Sequence, residues 1–222
     1  MAVQLEVACF SLASVMTSVQ GGADRLEFCA NASVGGTTPS AVDWRKARAL
    51  APNTPMVAMI RPRGGNFVYS AEEVDVMLAD IELLLSLGAD GFVFGALTAD
   101  GLLDEQTNQR LLGKASGKPC TLHRAIDHTA DILEAASRAE ALGFATTLTS
   151  GGTSAALEGM DTLAQLVANT TSLTVMPGGG VRSDHIQSLH EHVGATWYHT
   201  SALTQGQVAS AEEIMAIRRR LR

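Results

Sequence analysis

Residues 87–94 read LGADGFVF. The stretch before them, AEEVDVMLADIELLLSLG (71–88), spaces Val74, Met77, Leu78, Ile81, Leu84 and Leu85 as one face of an α-helix. Gly88 stands where that helix must stop, because a glycine past the last turn takes the positive φ that closes it. GFVF then reads as a short buried strand. Helix, glycine and strand in quick succession form the joint of an αβ unit. The same joint recurs in GGADRLEF (21–28), LGFATTLT (142–149) and VGATWYHT (193–200).

Working outward from these joints gives eight predicted strands, at 3–9, 24–29, 55–61, 90–96, 118–124, 145–150, 172–178 and 195–201. Helical patterns occupy most of the remainder, at about 11–20, 40–50, 71–88, 104–115, 130–142, 154–168, 183–191 and 210–221. Ser210 and Glu213 read as a capping box for the last helix. Strict alternation of strand and helix implies a parallel sheet. Eight units in 222 residues predict an α/β fold, a (β/α)8 TIM barrel in a single domain over 1–222. The alternative is a doubly wound open sheet. Its main marker is a glycine-rich turn after the first strand, and here that strand ends in CFSLAS.

Composition narrows the partners. A net charge of -7 and a pI of about 5.3 argue against nucleic acid. No apolar run approaches the ~18 residues of a membrane span. The start, MAVQLEVACF, lacks a basic segment followed by a long apolar one, so no signal peptide is expected. Cys9, Cys29 and Cys120 have no CxxC spacing. So sparse a set suits a reducing compartment, and a cytoplasmic location is expected.

In a barrel, strand side chains alternate between the interior and the helix layer, and function gathers at the C-terminal strand ends. That phase points Glu6, Glu27, Arg61, Arg63, His123 and His199 into one mouth, with Arg124 and Asp127 at its rim and Ser150 ending strand 6. Each buried charge needs a partner, so packing alone explains this convergence poorly. An ion pair of Glu27 with Arg25 or Arg61 is the plainer alternative for part of it. Glu27 or Glu6 as base, His123 or His199 as acid, and Asp127 nearby would suit proton transfer. Two glycine-rich stretches add an anion preference. RPRGG (61–65) supplies Arg61 and Arg63. PGGGVR (177–182) places Gly178, Gly179 and Gly180 before a helix expected near Ser183, an arrangement that brings backbone N–H groups to an anion. Ser150 leads the similar turn SGGTS. A small ligand bearing phosphate or carboxylate is expected.

The motifs LEVACFS, GGADRLEFCANASVGGTTPS, MIRPRGGNFVYS, LGADGFVFGALTADGLLD, TLHRAID, TLTSGG, VMPGGGVR and GATWYHTSA occur in this order. Together they closely resemble the CutC family over essentially the whole chain. The resemblance implies a TIM barrel, often a homodimer, cytoplasmic, named for copper homeostasis, with Cu(I) held by cysteines. Cys29 matches one family cysteine. At the other, two positions after the strand 1 glutamate, this chain has Ala8, with Cys9 beside it. A shift of one residue sends a strand side chain to the opposite face. Cys9 is therefore expected to face the helices and Cys29 the barrel interior, with Cys120 outward like Cys9. Thiolates suit Cu(I), but two on opposite faces cannot clamp one ion. Many family members also carry a longer segment after strand 8. Two functions stand open: Cu(I) handling through Cys29 and Cys9, or an enzyme acting on a small anionic metabolite.

Overall fold

Eight short strands hold Glu6, Arg25, Glu27 and His199 and lead into the loops that carry Arg61, His123 and Ser150: β1 Gln4–Cys9, β2 Arg25–Phe28, β3 Met56–Met59, β4 Gly91–Phe94, β5 Cys120–Leu122, β6 Thr146–Thr149, β7 Thr174–Pro177 and β8 Trp197–Thr200. They alternate with helices α1 Leu12–Gly21, α2 Ala41–Leu50, α3 Ala71–Ser86, α4 Glu105–Lys114, α5 Ile132–Leu142, α6 Met160–Asn169, α7 Ile186–Val193 and α8 Ala211–Arg220. The structure, a computed structural model, describes residues 3–222. Met1 and Ala2, which open the stretch read above as no signal peptide, lie outside them. Among the described residues no helix is long and apolar enough to cross a membrane.

All ladders are parallel, in the order β7-β6-β5-β4-β3-β2-β1-β8. The expected barrel is observed, nearly closed, and the open-sheet alternative falls. No ladder joins β7 to β8 among the described residues. Loop contacts bridge that seam instead. The Thr200 hydroxyl donates to the Val181 carbonyl at 2.8 Å, and Arg182 donates to Thr200 Oγ1 at 3.2 Å.

The alternation phase holds. Leu5, Val7, Cys9, Leu26, Phe28, Ala58 and Ile60 join Trp44, Met77 and Ile81 in the core between strands and helices. Cys29, Val57, Met59 and Val93 form a small separate cluster inside the barrel. Register then sets neighbours on the inner face. Glu6 pairs with Arg25 across β1–β2 and with His199 across β1–β8.

Helix starts depart from expectation in two loops that matter for the site. α6 begins at Met160, not near 154, because residues 150–159 fold back on themselves. There the Thr153 hydroxyl donates to the Ser150 carbonyl at 2.8 Å. α7 begins at Ile186, so a further turn separates the glycine run from a helix N-terminus. The full capping box belongs to Ser70 and Glu73. Ser210 does cap α8, but the Glu213 carboxylate turns instead to Ser183, accepting from its N–H at 2.6 Å and its hydroxyl at 2.8 Å.

Candidate active site

A cavity of about 550 Å³ opens at the C-terminal ends of the strands, bordered among others by Glu27, Arg61, His123, Arg124, Gly179, Gly180 and His199. This volume lies in the ~300–1,000 Å³ range of small-molecule sites.

One wall is a chain of four charged groups. Glu6 is fully buried; its Oε2 accepts from Arg25 Nε at 2.5 Å, and its Oε1 lies 2.9 Å from His199 Nδ1. His199 Nε2 in turn lies 3.7 Å from Glu27 Oε2. Burial alone would raise the Glu6 pKa, but Arg25 and His199 outweigh it and hold the carboxyl below its usual range. Burial pulls His199 down, and its bond to Glu6 and the nearby Glu27 charge overcome that and raise it. Glu27 has the weaker support. Burial pushes it up to about 7, against a smaller opposing pull from His199. Its Oε1 is buried without a partner among the described residues. Glu6 thus sits behind His199 and orients it, while Glu27 fronts the cavity with a pKa suited to giving and taking protons near neutrality.

The opposite wall is built on His123 and Arg61. The 3-10 turn Arg124–His128 starts directly after His123, whose Nδ1 accepts from the Ala125 N–H at 3.3 Å. The ring proton of the neutral imidazole is therefore on Nε2, which is buried and unpartnered among the described residues. Burial, then the Arg61 charge, lower the His123 pKa to about 3, so the ring is neutral at physiological pH. Phe67 packs against it with centroids 4.8 Å apart and also lies under Arg61, 4.8 Å from the guanidinium carbon. Arg61, 5% exposed, has no carboxylate partner among the described residues. It donates to the carbonyls of Val34 at 2.7 Å, Gly36 at 3.0 Å and Gly65 at 2.8 Å, and so ties together two rim loops.

Several expected site residues are placed elsewhere. Arg63 turns away from the cavity to Glu73, with Nε 2.6 Å from Oε1, and to the carbonyls of Asn66 and Val68. The alternation that put it beside Arg61 lapses because β3 ends at Met59. Asp127 does not border the cavity. Its oxygens accept from the Thr149 hydroxyl at 2.5 Å, Arg124 Nε at 2.7 Å, and the N–H groups of Ser150 and Gly152 at 3.1 Å. It is a staple for the β6 loop, not a free acid. Ser150 is fully buried, held between Asp127 Oδ2 at 3.0 Å, Arg124 Nη2 at 2.7 Å and the Thr153 carbonyl. Gly178 packs into the barrel wall, where a Cβ would meet Leu148 at 2.3 Å. Gly179 and Gly180 do border the cavity. Sequence reasoning assigned no role to Phe67 or His128 and left Arg124 at the rim; all three line the cavity.

The cysteines divide as the strand phase implies. The Cys9 thiol donates to Ser18 Oγ on α1 at 3.4 Å, and burial pushes its pKa up to about 12. Cys29 lies inside the barrel beside Val57, Met59 and Val93, with burial and then Glu27 raising its pKa. Cys120 belongs to the outer core with Cys9. No group of three or more His, Cys, Asp or Glu among the described residues is arranged to hold a metal. Two thiols on opposite faces of the barrel wall do not converge on one ion, so the pair Cys9 and Cys29 does not fit Cu(I).

Strands, cavity and buried charges together define a (β/α)8 barrel with its candidate site at the C-terminal strand ends. Within that class the chain belongs to the CutC family, whose model matches residues 3–204. The protein from Porphyromonas gingivalis strain W83 named family protein CutC is 45% identical over 202 residues, covering 90% of this chain and 81% of that one. A Homo sapiens relative, named copper homeostasis protein cutC homolog, is 43% identical over 199 residues, 89% of this chain and 72% of its own. A solved CutC structure from Streptococcus agalactiae superposes with a TM-score of 0.85 at 30% identity, covering 90% of this chain and 98% of that chain. The 3-hexulose-6-phosphate synthase of Salmonella typhimurium, at TM-score 0.70 and 18% identity, shares the barrel alone.

Proposed function

We propose that this barrel is an enzyme that moves a proton on a small anionic metabolite. One observation carries the reading. Glu27 is buried at the cavity with one oxygen that has no partner among the described residues, near neutral pKa, and 3.7 Å from a histidine that Glu6 and Arg25 hold in place. Buried carboxyls left half-paired are costly, and sites that use them gather such strain. Glu27 serves as base and then acid. His199 stabilises its charged form. His123, neutral, donates a hydrogen bond. Arg61 and Arg124 make the mouth positive.

The experiment is a thermal-unfolding screen of the protein against phosphorylated and carboxylated metabolites, followed by turnover assays on the binders. A binder that the parent converts, and that Glu27→Gln binds but does not convert, supports the assignment. Binders that Glu27→Gln converts at the parent rate would overturn it.

Copper homeostasis is the name carried by the human relative. Applied to this chain, it needs a Cu(I) site other than the pair Cys9 and Cys29. A competition titration with a Cu(I) chelator tests it, with Cys29→Ser as the variant.

A further inference from the structure

The two arginines at the mouth differ in what they have left to give. Arg61 spends both terminal nitrogens on carbonyls and keeps only Nε, which is buried without a partner among the described residues. Arg124 spends Nε on Asp127 and Nη2 on Ser150 and the Thr153 carbonyl, at 2.7, 2.7 and 3.1 Å. Its Nη1 has no partner among the described residues, and it lies 3.2 Å from where a Cβ on Gly179 would stand. The N–H groups of Gly179 and Gly180 are likewise unpartnered among the described residues. Both glycines take positive φ, 97° and 71°, so successive amides can turn toward one point. Arg124, Gly179 and Gly180 thus bring a guanidinium N–H and two amide N–H groups to the border of one cavity, beside a space that a side chain at 179 would narrow. Three N–H donors match the oxygens of a phosphate group better than the two of a carboxylate.

Elsewhere on the same cavity, His123 Nε2 and Glu27 Oε1 are buried and unpartnered, on residues each 3% exposed. One is a donor and the other an acceptor. That pairing suits a carbonyl oxygen and a neighbouring C–H bond.

Building on the proton-transfer reading above, we propose that the substrate is a phosphate ester of a small hydroxycarbonyl compound. Its phosphate sits on Gly179, Gly180 and Arg124 Nη1, its carbonyl oxygen on His123 Nε2–H, and its adjacent C–H at Glu27. Glu27 carboxylate takes the proton from the carbon next to the carbonyl. The C–H electron pair forms the new C=C bond, and the carbonyl π pair moves to the oxygen, where His123 stabilises it. Return of the proton from the Glu27 carboxylic acid to the same carbon completes exchange; its return to the neighbouring carbon completes isomerisation, with the proton of the adjacent hydroxyl passing to the former carbonyl oxygen through His123 Nε2. No oxidant, reductant or further reactant enters.

Two measurements test this. In the first, inorganic phosphate is titrated into 15N-labelled protein at constant ionic strength. Saturable shifts of the Gly179 and Gly180 amides are expected, and at least tenfold weaker binding in Gly179→Ala. Unmoved Gly179 and Gly180 amides in the parent protein overturn the phosphate cradle. In the second, the protein is incubated in D2O with glycolaldehyde phosphate, dihydroxyacetone phosphate and ribulose 5-phosphate. Loss of the proton NMR signal next to the carbonyl is expected for at least one, slowed a hundredfold or more in Glu27→Gln. No exchange with any of them overturns the carbonyl assignment. Either failure leaves the broader reading standing if another anionic metabolite is converted in a Glu27-dependent way.

Discussion

Glu6 Oε1 lies 2.9 Å from His199 Nδ1, although the two residues are 193 positions apart in the chain. Strand register makes this contact: β1 lies between β2 and β8, so Glu6 meets Arg25 on one side and His199 on the other. The pair fixes which imidazole nitrogen faces Glu27.

Glu6→Gln keeps the shape but removes the charge. His199 loses the bond that raises its pKa, so its titration moves to lower pH. Arg25 also loses its partner at 14% side-chain exposure. Removing one member of a buried pair costs about 3–5 kcal/mol, which for this chain length lowers Tm by roughly 6–20 °C. Calorimetry and histidine NMR titration read both effects. An unchanged His199 titration would contradict the contact.

Glu27 and His123 give opposite pH dependences. The folded-state pKa of Glu27 is raised from 4.5 to about 7, so its contribution to stability is full below 4.5 and is lost as pH rises through 7. The loss is on the order of 3 kcal/mol. Glu27→Gln is therefore expected to match the parent near pH 4.5 and to exceed its Tm by several degrees at pH 8. For His123 the folded-state pKa falls from 6.5 to about 3, so its contribution is present above 6.5 and is lost as pH drops toward 3. His123→Gln should resist acid better than the parent. Unfolding curves from pH 4 to 8 check both signs.

Arg61→Lys keeps a charge but cannot reach three carbonyls at once. The loops holding Val34, Gly36 and Gly65 should loosen, with amide exchange across residues 31–37 at least tenfold faster. Hydrogen-exchange mass spectrometry measures this. Unchanged protection there would show that the guanidinium does not hold the rim.

Asp127→Asn replaces an acceptor serving four residues by a group with one acceptor oxygen. A loss of about 2–4 kcal/mol is expected, since buried N–H groups of the β6 loop go unpaired. The effect should fall on stability far more than on phosphate affinity. A variant as stable as the parent would return Asp127 to the list of free acids.

Cys9 and Cys120 have pKa values pushed up to about 12 by burial, and Cys29 is raised as well. All three should react with thiol reagents only as fast as the protein unfolds. Cys29→Ser should leave Cu(I) affinity within twofold of the parent. A large drop would restore thiolate coordination at this site.

The glycine joints made the barrel legible, because each marks where a helix must end and a strand begin. Alternation then placed Glu6, Glu27, His199 and Cys9 correctly, since each lies inside a ladder where the pleat decides direction. Arg63 and Asp127 lie past the last paired residue. Their directions are set by Glu73 ten residues on and by Thr149 on another strand, and no local pattern reports such partners. The unused Nη1 of Arg124 was hidden for the same reason, as it is defined by what Asp127 and Ser150 leave free.

The unladdered junction of β7 and β8 runs between Gly179 on one side and His199 on the other. Backbone hydrogen bonds ladder every other neighbouring pair of strands among the described residues, whereas this edge is held by side-chain and loop contacts. A molecule that grips both sides would close the ring the backbone leaves open, and its arrival would be felt as stiffness around the whole circumference.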